Sequence, residues 1–332
     1  MILVTGGTGL VGAHLLLHLL QKNEAVRAIY RSEKSIEKTR NLFKLENQQE
    51  LFHKIEWMEA DINDIPALEK AFQGITVVYH CAALISFDPG DEEALRKVNI
   101  EGTANMVNCA LDFGVTKFCY VSSIAALGDT REGENLITEE TEWNPEKNHG
   151  DYALTKYGAE MEVWRASQEG LNVVVVNPGV IFGKGFDSGS GELLQKIRNG
   201  FPFYTKGSTG ITSVEDLVAI MIQLMDNNVF GERFTIVSEN IRLQVLLNII
   251  ADAMHKKKPY LYASPLMTAL AWRADWLLSK LLFRKRTFTK ATAKSSHSLD
   301  IYDNSKITGR LPYTFKPMRE YLITVSQAHL KV

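Results

Sequence analysis

Residues 2–12 read Ile-Leu-Val-Thr-Gly-Gly-Thr-Gly-Leu-Val-Gly, and the fold is decided there. Ile2 to Thr5 is a short, β-rich apolar run. Gly7, Gly9 and Gly12 follow at G-x-G-x-x-G spacing, with Gly6 completing an overlapping G-x-x-G-x-x-G. The pattern predicts a strand, a tight turn and a helix start. Its first glycines let backbone approach a pyrophosphate, Gly12 lets helix and strand approach each other, and the helix start at Leu10 and Val11 offers free N–H groups to phosphate. Thr5, Gly6, Gly7, Gly9, Leu10, Val11 and Gly12 are therefore candidate dinucleotide contacts. The context supports this, because the helical pattern Leu15, Leu16, Leu19, Leu20 follows and a second strand pattern begins near Ala25.

The 332 residues suffice for a large core with an added lobe, and a net charge of −2 gives no field that would gather nucleic acid. The expected partners are small molecules. Cys81, Cys109 and Cys119 lack C-x-x-C spacing and sit in apolar stretches, which suits reduced thiols and a cytoplasmic location. Met1 leads straight into the first strand pattern, and no uncharged run reaches transmembrane length, so neither a leader nor a membrane span is expected.

Strand patterns recur at Ala25–Tyr30, Ile55–Met58, Thr76–His80, Lys117–Val121 and Leu171–Val176, with helical patterns at 33–45, 92–113 and from Asp151. This alternation predicts an α/β fold, a doubly wound parallel Rossmann sheet over residues 1–179. Residues 180–332 read as a smaller, mostly helical C-terminal substrate lobe, with about 213–237 returning to the sheet through a helix and a strand. Tyr30 and Arg31 end the second strand, where an acidic residue would hold the ribose of NAD. A stacking ring and a guanidinium suit the 2′-phosphate of NADP(H) instead. Asp61 can accept from the adenine amine while Ile62 packs on the ring, and the small residues Cys81, Ala82 and Ala83 admit a cofactor close to backbone. Ser122 and Ser123 fall at the carboxyl end of the fifth strand, on the nicotinamide side, and Asn177, Pro178 and Gly179 end the sixth.

Hydride transfer to a ketone or aldehyde leaves charge on oxygen, so the site needs a proton donor and a second hydrogen bond. Tyr152 can donate, and Lys156, one helical turn away, can favour its phenolate and hold the nicotinamide ribose. Ser123 is expected to bond the substrate oxygen, and Asn99 to hold a water that relays protons from Lys156.

TGGTGLVG at 5–12, Asn99 with Gly102 and Thr103, YVSS at 120–123 and YALTK at 152–156 together resemble the extended short-chain dehydrogenases/reductases over roughly the first 240 residues. The resemblance implies Ser123, Tyr152 and Lys156 as catalytic triad, Asn99 as its fourth member, Ser122 as structural, and a homodimer closed by a four-helix bundle. VRAIYR at 26–31 and NPGVIFG at 177–183 are most similar to the dihydroflavonol reductase and 3β-hydroxysteroid dehydrogenase branches, which implies a carbonyl reductase. Gly128 stands where plant dihydroflavonol reductases commonly carry a polar contact, so another hydrophobic ketone or aldehyde is expected as substrate. The rival readings are a nucleotide-sugar epimerase and a non-catalytic dinucleotide sensor. Arg31 argues against the first and the Tyr152–Lys156 pair against the second.

His14 and His18 have the spacing of a metal pair but no intervening Glu and no third ligand, so they read as ordinary helix residues and no metal is expected. Ser86, Phe87, Phe182, Phe186 and Tyr204 are candidate pocket residues. Residues 266–286 carry Trp272, Trp276 and many leucines beside Arg273, Lys280 and a basic end at 284–286. Since amphipathic helices usually face a core, this stretch is expected to cover the substrate pocket, with peripheral membrane contact as the alternative.

Overall fold

The structure, a computed structural model, describes residues 1–130, 133–147, 149–282, 285–286 and 288–330. Seven parallel strands form the central sheet, in the order Glu232–Ile236, Val173–Pro178, Lys117–Val121, Val77–His80, Ile2–Thr5, Val26–Tyr30, Glu56–Glu59. Chain order reverses between Ile2–Thr5 and Val77–His80, and ligands of such sheets bind outside the strand ends at that crevice.

Side chains alternate across each strand, and both faces are covered. Val4, Tyr79, Cys119, Val174 and Val176 pack with the helices Leu10–Gln21 and Val214–Asp226. Leu3, Val78, Phe118, Val173 and Val175 pack with Gly102–Asp112 and Asp151–Gln168. Burial on both sides is what a continuous valine run such as Val173–Val176 requires.

Several boundaries differ from the sequence reading. The sixth strand runs Val173–Pro178, because its pairing with Lys117–Val121 starts at Phe118↔Val173. Two short helices, Gln49–Phe52 and Ile65–Ala71, escaped it. The second carries a readable start signal, since Asp64 caps it through the Ala67 N–H at 3.1 Å. The helical stretch after Glu92 contains a π-turn at Arg96–Glu101, centred on Asn99.

The lobe adds a three-stranded sheet, in which Ser208–Ser213 pairs with both Glu239–Arg242 and Val180–Phe182. The stretch expected to cover the pocket is the helix Pro265–Leu282, and it is oriented the other way. Its buried residues are Thr268 and Asp275, whereas Leu270, Leu277 and Leu281 are 60%, 52% and 65% exposed. Phe283 and Arg284 of that stretch lie outside the described residues.

Candidate active site

The glycine turn closes as its spacing predicts. Gly9 N–H donates to the Gly6 carbonyl at 2.9 Å, and Gly6 has φ +68°. A Cβ on Gly6 would stand 2.8 Å from Ala82 N, and one on Gly12 would stand 2.3 Å from the Gly6 carbonyl oxygen. The Leu10–Gln21 helix starts with no side-chain cap, leaving its first N–H groups for an anion. Thr5 Oγ1 accepts from Ala82 N–H at 3.1 Å and so binds the 81–83 backbone beside the turn. A close-packed, uncapped turn at the crevice fits a dinucleotide pyrophosphate.

Tyr152 lies in the first turn of the Asp151–Gln168 helix, with Phe87 edge-on to its ring at 5.7 Å between centroids. Burial raises the Tyr152 phenol above its usual range, and the nearby Ser123 hydroxyl opposes that rise. Ser123 Oγ also accepts from Ala125 N–H at 3.1 Å, which fixes the serine at the strand end. Phe87 is 58% exposed, and Ser86 is held by Asp91 at 2.8 Å.

Lys156 is wholly buried and donates to Tyr120 Oη and the Val121 carbonyl, each at 2.8 Å. No hydrogen bond joins it to Tyr152 among the described residues. Burial pushes its ammonium down to about 7, while Glu160 and Cys81 pull upward. The His80 ring stacks on Tyr120, 5.6 Å between centroids, while Thr103 Oγ1 meets His80 Nε2 at 3.0 Å and His80 Nδ1 meets Thr5 Oγ1 at 2.7 Å. Desolvation holds His80 near 3, so this imidazole stays neutral. A buried chain of polar and stacking contacts thus runs from Lys156 through Tyr120 and His80 to the glycine turn. The sequence reading missed Tyr120 and His80, although Thr5↔His80 and His80↔Tyr120 are direct register partners.

Asn99 has a structural role beside the expected one. Its Nδ2 donates to Leu84 O and Thr155 Oγ1, both at 3.0 Å, and Oδ1 accepts from Leu84 N–H at 2.7 Å. Both amide N–H donors are committed, so the side chain fastens the 81–86 loop to the Tyr152 helix. Ser122 is structural, donating to Glu160 Oε2 at 2.7 Å.

Arg31 is exposed at the end of Val26–Tyr30, with no ion-pair partner among the described residues. Tyr30 packs edge-on against Trp57 at 6.2 Å. Asp61 Oδ1 accepts from Asn63 N–H at 2.9 Å. Ile62 is 6% exposed and buried against Gly102, so its side chain belongs to the core and makes no ring wall. Asn177 and Pro178 are buried strand residues, not a loop beyond the strand, and Gly179 packs tightly against the Gly210 carbonyl. Phe182 and Phe186, 0% and 6% exposed, are also core residues. Tyr204 packs on Tyr262, 5.7 Å between ring centroids. His14 contacts the Lys184 carbonyl at 3.3 Å and His18 the His14 carbonyl at 2.8 Å.

Against this geometry, a model of the NAD dependent epimerase/dehydratase family matches residues 2–238. A Synechocystis sp. protein named as a dihydroflavonol 4-reductase is 34% identical over 74% of the chain and 69% of its own length. Sterol demethylase protein B of Methylococcus capsulatus is 28% identical over 92% of the chain and 88% of its own. The crystal structure of gox2253 superposes with a TM-score of 0.81 at 26% identity, covering 100% of the chain and 98% of that one.

Proposed function

The chain belongs to the NAD dependent epimerase/dehydratase family, that is, the extended short-chain dehydrogenases/reductases, and from that premise we propose an NADP(H)-dependent reductase of ketones or aldehydes on small hydrophobic molecules. The observation that carries it is the convergence of Tyr152 and Ser123 at the crevice, where the serine acts on the phenol, beside the partly open Phe87. Tyr152 delivers the proton to the substrate oxygen and Ser123 holds that oxygen in place. Two of the three Lys156 N–H donors are taken by Tyr120 and Val121, leaving one for the ribose hydroxyls. The turn from Thr5 to Gly12 would hold the pyrophosphate and Asp61 the adenine amine. Bound there, the reduced nicotinamide supplies the hydride. The two relatives' names, a dihydroflavonol reductase and a sterol demethylase protein, favour a fused-ring apolar substrate. NADPH consumption against hydrophobic ketones and aldehydes tests the reading, and a silent panel with tight cofactor binding would overturn it.

Arg31 is the residue for NADP over NAD, because its exposed guanidinium makes no ion pair among the described residues. Arg31→Asp is expected to lower the NADPH-to-NADH ratio of kcat/KM at least tenfold, as charge attraction to a 2′-phosphate becomes repulsion. An unchanged ratio would remove the assignment. Free thiols at Cys81, Cys109 and Cys119 favour a reducing, cytoplasmic setting. A homodimer through the Asp151–Gln168 helix is consistent with Leu154 and Met161, 46% and 39% exposed two turns apart. Sedimentation equilibrium should give twice the chain mass, and Leu154→Glu should halve it.

A further inference from the structure

The helix Pro265–Leu282 is amphipathic the wrong way round for a lobe helix. Its inward face is polar, with Thr268 bonded to His297 at 2.9 Å and Asp275 accepting from the Phe288 N–H at 3.3 Å. Its outward face is apolar, with Leu266, Leu270, Leu277 and Leu281 between 52% and 72% exposed along one stripe. An isolated exposed leucine needs no explanation, but a stripe over about four turns does. The margins of the stripe are cationic and aromatic. Arg273 lies 4.4 Å over the Trp272 ring and Lys280 lies 4.4 Å over Trp276. Residues 266–294 hold seven Lys or Arg against one Asp, in a chain whose net charge is −2, so the rest of the molecule is acidic.

We propose that this helix docks the protein on an anionic lipid bilayer, lying in the interface with its leucine stripe among the acyl chains and Arg273 and Lys280 among the headgroups. Apolar depth, flanking tryptophans and snorkelling cations are the makeup of interfacial helices, and the local positive charge complements acidic headgroups. A second copy of the chain is the poorer occupant, because a two-fold contact on this stripe would set its cationic margins against themselves. The helix is also placed at the catalytic side. Lys285, just beyond its end, bonds Asp91 at 2.9 Å, and Arg286 N–H bonds Asp88 at 3.0 Å. Those carboxylates flank the loop that holds Phe87 against Tyr152. An apolar carbonyl compound dissolved in the bilayer would thus reach the site without crossing bulk water. That last step rests on the reductase reading, whereas the docking does not.

Co-sedimentation of the full chain with vesicles tests the docking directly. With vesicles of equal parts phosphatidylcholine and phosphatidylglycerol at low salt, the protein should pellet; with phosphatidylcholine alone, or in high salt, mostly not. Leu270→Glu with Leu277→Glu should leave it in the supernatant with an unchanged melting temperature, since both side chains are exposed. Arg273→Gln with Lys280→Gln should weaken partition on the order of tenfold, and this pair keeps the test decisive if the glutamate variant misfolds. Wild-type protein that stays in the supernatant with anionic vesicles overturns the proposal. So does equal binding by all variants, or a dimer that Leu277→Glu splits with no vesicle binding.

Discussion

Tyr152→Phe is expected to lower kcat for carbonyl reduction by about two to four orders of magnitude, the usual worth of a positioned general acid, while leaving NADPH affinity unchanged. The substitution keeps the ring that faces Phe87 and removes only the hydroxyl beside Ser123. The pH dependence has a definite sign. Burial raises the phenol, so the proton-bearing form persists through neutrality. Reduction, which needs that proton, should be flat through neutral pH and fall only at alkaline pH; oxidation, which needs the phenolate, should rise with pH. Steady-state kcat in both directions, across pH, measures this. A phenylalanine variant turning over at the wild-type rate would sink the assignment of Tyr152, and an inverted pair of profiles would sink the direction of proton transfer.

What the sequence displays depends on the range of the interaction. The glycine turn and the first five strands are written in local spacing and periodicity, and they appear in the structure within a residue or two of their expected limits. Hydrophobicity marks burial but not its location, which is why Phe182 and Phe186 read as pocket residues and prove to be core. The apolar stripe of residues 266–282 is equally legible, but its facing is decided by Thr268 and Asp275, two small polar residues on the opposite side. Asn99 was identifiable as a residue of the site but not as a fastener, because its partners Leu84 and Thr155 meet it only in three dimensions. Tyr120 and His80 are cross-strand partners. Their adjacency follows from register, which no single strand contains.

Glu160 is the clearest residue of this kind, and its removal is the stability experiment with the largest expected effect. In the sequence it reads as one more acidic residue on a helix. In the structure it is 0% exposed and accepts from Ser122 Oγ at 2.7 Å, Asn177 Nδ2 at 3.0 Å, Trp164 Nε1 at 3.3 Å and Arg233 Nη1 at 3.0 Å. Arg233 lies 73 residues away in sequence and only 20% of its side chain is exposed, so the pair is largely shielded from water. Removing one member of a buried pair costs about 3–5 kcal/mol, because the partner is left desolvated and uncompensated. Glu160→Ala should therefore lower unfolding stability by about that amount, a large share of the roughly 5–15 kcal/mol of a whole domain. Ser122→Ala, which removes one donor to the buried carboxylate and leaves the ion pair, should cost less, about 1.5–3 kcal/mol. The effect should also reach the chemistry, since Asn177 Nδ2 bonds the Ser123 carbonyl at 3.0 Å as well as Glu160. Glu160→Gln, of equal shape but without the charge, should fold, lose part of the stability and lower kcat more than it changes the KM for NADPH. Urea midpoints for the three variants, with kcat and KM for the glutamine, separate a structural hub from a surface charge. A Glu160→Ala midpoint within about 1 kcal/mol of wild type would place it among ordinary surface ion pairs.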